Sequence, residues 1–242
     1  MRVLVTRPKD DADPLAAALG RRGIAALIEP LMHIVDVAAP PPDLAGVQAL
    51  LVTSANGARA FARRHPRRDI KIMAVGDASA AVAHTLGFKS VKSAKGDVQA
   101  LAALVRTELD PARGALLHAA ASDVAGDLAG ELGGAGFDYR RVVLYQARPA
   151  DALSEGTIEA LRTGALDGVI LFSPRTARLF VDLAQAAGVG EFCRDLVAYC
   201  LSRAVADAAK ALPWRDMVVA RRPDQDSLID AIRPTDGGPT AA

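Results

Sequence analysis

Cysteine, aromatic residues and net charge are all scarce in this chain. Two cysteines, Cys193 and Cys200, stand late in a sequence of 242 residues. Two isolated thiols make neither a disulfide framework nor a zinc site, and a reducing compartment is the simplest reading. Lys and Arg number 29 against 28 Asp and Glu, which leaves a formal net charge of +1. That balance gives no support for a nucleic-acid partner or a basic anchor on a membrane surface. No run is apolar over the roughly 20 residues that a bilayer span takes. The opening Val3-Leu4-Val5 is too short for a signal-peptide core. The usual cofactor signatures are missing as well. There is no Gly-x-Gly-x-x-Gly after a strand, no Gly-Lys-Ser/Thr phosphate loop, no His-Glu-x-x-His and no Gly-x-Ser-x-Gly. His33, His65, His84 and His118 are scattered without ligand spacing. These absences lead us to expect a cytoplasmic, monomeric protein with no cofactor, no metal, no nucleic acid and no membrane.

What is present is a globular composition, 51% hydrophobic and 24% charged. A unit recurs along the chain: a short apolar run, a small or polar turn, then an alanine-rich helix. Val3-Leu4-Val5 precedes a helix over 10–20, and 49–52 precedes one over 56–64. Runs at 72–75, 115–118, 169–172 and 196–200 lead to helices ending near 87, over 122–132, over 176–187 and over 203–212. Continuous apolar strands alternating with helices predict an α/β protein with parallel sheets buried on both faces.

The sequence also repeats itself. Ser54, Ala58, Arg59 and Phe61 recur as Ser173, Ala177, Arg178 and Phe180 at a common offset of 119 residues. Leu15, Leu19 and Gly23 are echoed by Leu128, Leu132 and Gly136 at an offset of 113. These spacings exceed solenoid repeats and predict two domains of similar architecture. Two β-rich stretches, 33–37 before Pro40-Pro41-Pro42 and 142–147 before Pro149, read as connectors. The expected partition is residues 1–34 plus 149–242 for one domain and 39–141 for the other. Residues 35–38 and 142–148 would form a two-stranded connector, and 234–242 a disordered tail.

Small hydroxyl residues mark the strand-to-helix junctions: Thr6, Thr53, Ser54, Ser79, Ser173 and Ser202. Such junctions lie at the carboxyl ends of parallel strands, where ligands bind. Helix N-termini there offer unpaired N–H groups and partial positive charge. Plain helix capping explains any one of them; several together suit a ligand with many carboxylates or phosphates. Tyr145 lies on the second connector, and its phenol, of ordinary pKa about 10, keeps a proton to donate at neutral pH. The arginines 63, 64, 67 and 68 beside Asp69 read as a solvated helix end, and Gly133-Gly134-Ala135-Gly136 as a helix C-terminal cap.

Five ordered blocks resemble the uroporphyrinogen-III synthase family. They are Val-Leu-Val-Thr-Arg-Pro (3–8), Thr-Ser-x-x-x-Ala (53–58), Ala-Val-Gly-Asp-Ala-Ser-Ala (74–80), Val-Leu-Tyr-Gln (143–146) and Phe-Ser-Pro-Arg-Thr (172–176). The resemblance implies two flavodoxin-like α/β domains joined by a two-stranded β-ladder, with the active site in a cleft between them. It implies cyclisation of hydroxymethylbilane to uroporphyrinogen III, with loss of water and inversion of ring D through a spiro intermediate. It assigns Tyr145 to protonation of the leaving hydroxyl. Thr6, Arg7, Thr53, Ser54, Gly76, Ser79, Ser173, Ser202 and Arg203 would bind substrate. Transient contact with the preceding pathway enzyme also follows. Two junctions depart from the family: Leu201-Ser202-Arg203-Ala204-Val205 lacks the usual threonines, and His118-Ala119-Ala120-Ala121-Ser122 replaces a glycine- and arginine-containing loop. A non-catalytic two-domain module closing on an anionic small molecule is the competing reading.

Overall fold

A computed structural model describes residues 1–38, 40–123 and 126–232. The expected tail, 234–242, lies outside the described residues. The chain forms two compact units, one of Met1–His33 with the described chain from Arg148, the other of Ile34–Ala147.

The first unit holds five strands, β1 (Arg2–Val5), β2 (Ala25–Ile28), β9 (Gly168–Leu171), β10 (Val197–Cys200) and β11 (Asp216–Val219). They pair in parallel in the order β2-β1-β9-β10-β11. Successive residues of a strand point to opposite faces, so each apolar run serves two cores. Val3, Val5 and Ile170 pack with Leu15 and Leu19 of α1 (Lys9–Gly20) and with Leu228 of α9 (Gln225–Ala231). Leu4, Val169 and Leu171 pack instead with Leu161 of α6 (Glu155–Arg162), Phe180 of α7 (Pro174–Ala186) and Val205 of α8 (Arg203–Ala209).

The second unit holds β3 (Met32–Asp36), whose span begins just before the boundary, with β4 (Val47–Val52), β5 (Lys71–Ala74), β6 (Val91–Ser93), β7 (Ala115–Ala121) and β8 (Tyr139–Pro149). The order is β3-β8-β7-β4-β5-β6. Five strands are parallel. The Val37 N–H donates to the Leu144 carbonyl and the Ala150 N–H to the Leu31 carbonyl. Rising numbers on one strand therefore meet falling numbers on the other, and β3 runs antiparallel to β8. Leu50 and Val52 pack with Phe61 of α2 (Ala55–Arg64) and Ala83 of α3 (Asp77–Thr85). Ala49 and Leu51 pack with Leu101 of α4 (Val98–Glu108) and Leu132 of α5 (Leu128–Gly133). The helix expected over 122–132 thus begins only at Leu128, capped by the Asp127 carboxylate on the Gly130 N–H; residues 124 and 125 lie outside the described residues.

Apart from β3, the two sheets share one topology, circularly permuted. Chain order along the first sheet is 2-1-3-4-5, the flavodoxin-like order, and along the second it is 5-4-1-2-3. Aligned in space, β9 matches β4 and β1 matches β7. The two sequence repeats obey that alignment: one equates β9 and α7 with β4 and α2, the other α1 with α5. The faces agree too, since α7 and α8 share a core in one unit as α2 and α3 do in the other.

The arginine cluster is more than a solvated helix end. Arg63 bridges Asp36 through both carboxylate oxygens at 2.6 and 3.0 Å, and Arg64 donates to the Val37 carbonyl. Arg68 donates to the carbonyls of Ala62, His65 and Leu86 and lies 5.0 Å over the Phe88 ring. The Arg68 guanidinium thus satisfies carbonyls left open at the ends of both α2 and α3.

Glu29, directly after β2, is buried at 6% exposure. Its carboxylate accepts from the Ser154 N–H at 3.0 Å, from the Ser154 hydroxyl, and from the Thr157 hydroxyl at 2.5 Å. An anion at the N-terminus of α6 is favoured by the helix dipole. Replacing Glu29 by alanine leaves the buried Thr157 hydroxyl without this acceptor and Ser154 to solvent, and a loss of about 1–3 kcal/mol in unfolding free energy is expected. Glu29→Gln, which keeps one acceptor oxygen, loses less; urea unfolding midpoints at pH 7 measure both.

Candidate functional site

In the second unit the candidate residues gather at the carboxyl edge of the sheet. Thr53 and Ser54 follow β4, Gly76 caps α3, and Ser79 lies in that helix's first turn, 6% exposed. Tyr145 lies far along β8, paired with Ala121, the last residue of β7. Ser54 is extended and caps α2, its oxygen accepting from the Gly57 N–H at 3.3 Å. Glycine is needed at 57, because a Cβ there would sit 2.5 Å from the Ala119 carbonyl oxygen. That close approach seats the start of α2 against β7 and brings Ser54 to Tyr145. Their hydroxyl oxygens are 2.6 Å apart across 91 residues of sequence. Burial pushes the Tyr145 phenol above its ordinary pKa, with the Ser54 hydrogen bond opposing. It is therefore protonated at neutral pH.

Thr53 points to the opposite face of the sheet, toward α4 and α5. Its hydroxyl is 3.1 Å from His118 Nε2, and His118 Nδ1 is 2.5 Å from the Tyr139 hydroxyl. His118 is 1% exposed. These groups border a cavity of about 140 Å³, flanked by Asp127 and Arg141. The site lies where β4 meets β7, the gap at which strand order reverses and where ligands settle in open α/β sheets. A larger groove, about 560 Å³, lies among Lys71, Glu108 and Arg113 and contains none of these hydroxyl groups.

In the first unit the junctions are built similarly. Ser173 caps α7, accepting from the Thr176 N–H at 3.1 Å, with Pro174 at the first helical position. Thr6 is fully buried, and its hydroxyl donates to the Ile170 carbonyl at 2.9 Å. It ties β1 to β9, so its hydroxyl is not on offer to a ligand in this structure. Arg7 is held in place by Asp11 at 3.1 Å, Gln225 at 3.0 Å and the Phe172 ring at 4.5 Å. Ser202 is the N-cap residue of α8 without a side-chain cap bond. Arg203 is largely exposed and only 3.7 Å from Asp207. Among the described residues, no three His, Cys, Asp or Glu side chains are grouped to hold a metal ion.

His118 and Tyr139 went unnoticed as functional candidates in the sequence. The available signal was one polar residue inside Ala115–Ala121, a strand otherwise apolar along its length. Burial drives the His118 pKa down to about 4, and the nearby Arg141 charge pushes the same way. The imidazole is therefore neutral in the folded protein. An unfolded histidine titrates near 6.5, so below that pH the unfolded chain takes up the proton first. The stabilisation is full above about pH 6.5 and is lost as pH falls toward 4, a change of roughly 3 kcal/mol. Urea midpoints measured from pH 7 to 4.5 are expected to fall, and to fall less steeply in His118→Gln.

The family model described as HEM4, uroporphyrinogen-III synthase HemD, matches residues 13–230. No curated protein sequence gives a significant match. Among solved structures, the chain is similar to uroporphyrinogen-III synthetase from Helicobacter pylori. The TM-score is 0.62 at 16% identity, covering 95% of this chain and 97% of that one. It is also similar to a mutant uroporphyrinogen III synthase from Thermus thermophilus, at TM-score 0.51 and 18% identity over 95% and 96% of the two chains. The structural likenesses establish the two-sheet α/β fold, and the family match over most of the length establishes the rest: the chain belongs to the uroporphyrinogen-III synthase family.

Proposed function

We propose that Tyr145 and Ser54 together form the acid of a cyclising dehydration. The reaction is that of the family: hydroxymethylbilane closes to uroporphyrinogen III with loss of water and inversion of ring D, a step of tetrapyrrole biosynthesis. The first bond to break joins the terminal methylene to its hydroxyl. A proton delivered to that oxygen lets it leave as water, and a cation conjugated with a pyrrole remains. A pyrrole attack then gives the spiro intermediate, which fragments and recloses with ring D turned over.

The observation that carries this assignment is the 2.6 Å contact of Tyr145 with Ser54 at the carboxyl edge of the sheet. Tyr145 itself is only 5% exposed. Ser54 stands at the start of α2 and can pass on the tyrosine proton, which makes Tyr145 an assisting acid. The substrate's carboxylates suit the helix N-termini behind Ser54, Gly76, Ser173 and Ser202, the hydroxyls of Thr53 and Ser79, and the guanidinium groups of Arg7 and Arg203. Thr6 contributes through the position of its strand end. We also read the enzyme as cytoplasmic and monomeric, meeting the preceding pathway enzyme only transiently. Two free, buried thiols, Cys193 and Cys200, support a reducing compartment.

The test supplies enzymatically generated hydroxymethylbilane and resolves the type I and type III isomers. Enrichment of type III over the unassisted type I product is expected, and its absence would overturn the reading. Tyr145→Phe is expected to lower kcat by about 10- to 10⁴-fold, the range of positioned proton transfer. An unchanged kcat removes Tyr145 from the mechanism.

A further inference from the structure

Thr53, His118 and Tyr139 form a chain of three polar groups in which each link constrains the next. A neutral imidazole has one N–H and one bare nitrogen. Only two arrangements therefore satisfy both contacts. In one, Tyr139 donates to Nδ1 and the Nε2–H donates to Thr53. In the other, Thr53 donates to Nε2 and the Nδ1–H donates to Tyr139.

The surroundings favour the first. Tyr139 keeps its proton, because burial raises its pKa above the ordinary value; Arg141 opposes and Asp127 adds to the rise. A phenol is a far stronger donor than an aliphatic alcohol, so the 2.5 Å contact is best made by the tyrosine proton on Nδ1. Arg141 is anchored by the carbonyls of Ala121 and Ser122 at 2.7 and 2.6 Å, a fixed positive charge that acts on both the phenol and the imidazole. That charge favours negative character on the phenol oxygen. With Nδ1 accepting, the remaining imidazole proton lies on Nε2 and points at Thr53 Oγ1, 3.1 Å away. One lone pair of the Thr53 oxygen is then engaged, and its own hydrogen is left to be given to something else.

We propose that His118 is a positioning residue for the cyclisation: held by Tyr139, it turns the half-buried Thr53 hydroxyl into a committed hydrogen-bond donor for a substrate carboxylate. This rests on the function proposed above and adds a residue within β7, the strand beside Thr53. Thr53 follows β4 directly and borders the cavity at the strand-order reversal. A hydroxyl held this way has one lone pair engaged and its hydrogen available, which favours an anionic acceptor such as a carboxylate over a ligand donor. In the opposite polarity the Thr53 hydrogen would be used on Nε2, and only lone pairs would face a ligand.

Two measurements test this on the full chain. Long-range ¹H–¹⁵N spectra of the free protein report which ring nitrogen of His118 carries the proton. The Nε2–H form is expected near pH 7, and an Nδ1–H form would overturn the proposal. Steady-state kinetics with hydroxymethylbilane form the second. Thr53→Val and His118→Leu are each expected to raise KM by about 10- to 100-fold, the loss of one hydrogen bond to a charged group, with kcat changed far less. His118→Gln, whose side-chain amide N–H can reach Thr53, should recover most of the lost affinity. The double variant Thr53→Val, His118→Leu should be no worse than the poorer single one. An unaltered KM in folded His118→Leu, or losses that multiply in the double variant, would refute the coupling. Should His118→Leu fail to fold, the tautomer and the His118→Gln and Thr53→Val kinetics decide. Failure of the wild-type chain to enrich type III would instead count against the proposed function, and the tautomer would still judge the polarity of the chain.

Discussion

Burial of each parallel sheet on both faces is the constraint from which the rest follows. Strands such as Val3-Leu4-Val5 and Val169-Ile170-Leu171 distribute their apolar side chains between two helix layers, which leaves little room for polar groups along their length. Chemistry is displaced to the strand ends, where the backbone of the next helix begins with unpaired N–H groups. Ser54 and Ser173 meet that need directly, each bonding an N–H of the first turn behind it. One group breaks the rule. His118 lies within β7 and remains neutral because burial and the Arg141 charge disfavour the imidazolium, and both of its ring nitrogens have hydroxyl partners.

The permuted topology gives these residues a shared frame. The gap between β4 and β7 in one unit corresponds to that between β1 and β9 in the other, and each is crossed by a threonine hydroxyl. Thr6 crosses to a main-chain carbonyl and is sealed. Thr53 crosses to a side chain and keeps access to a cavity. Two halves with one architecture therefore treat the same gap differently: Thr6 crosses it from β1 and ties two strands, whereas Thr53 crosses it from β4, the counterpart of β9, and makes a polar site. The residue that matters is His118, which supplies an imidazole partner 3.1 Å from the Thr53 hydroxyl.

Much of the fold was legible because its signals are local. Apolar runs, Ser or Gly at the junctions and alanine-rich helices are properties of neighbouring residues, and they located most elements to within a few positions. The helix over 122–132 was placed too early because its true cap, Asp127, lies inside the alanine-rich stretch. The arginine cluster was undervalued for a different reason: the carbonyls that Arg68 satisfies belong to Ala62, His65 and Leu86, which only the turn after α2 collects. The pairing of Tyr145 with Ser54 is not legible in one dimension, since no periodicity links positions 91 residues apart.

The sequence by itself determined the α/β class, the duplicated architecture and the kind of residue at each strand end. Propensity, patterning and capping act over a few residues and survive being read in one dimension. Tertiary structure alone decided which hydroxyls are available. Thr6 and Thr53 are alike as sequence, a threonine after an apolar strand, and the neighbouring strand's carbonyl or imidazole makes one inert and the other a donor. That neighbour is set by strand order and register, which hydrogen bonding across the sheet fixes only when the whole unit is folded.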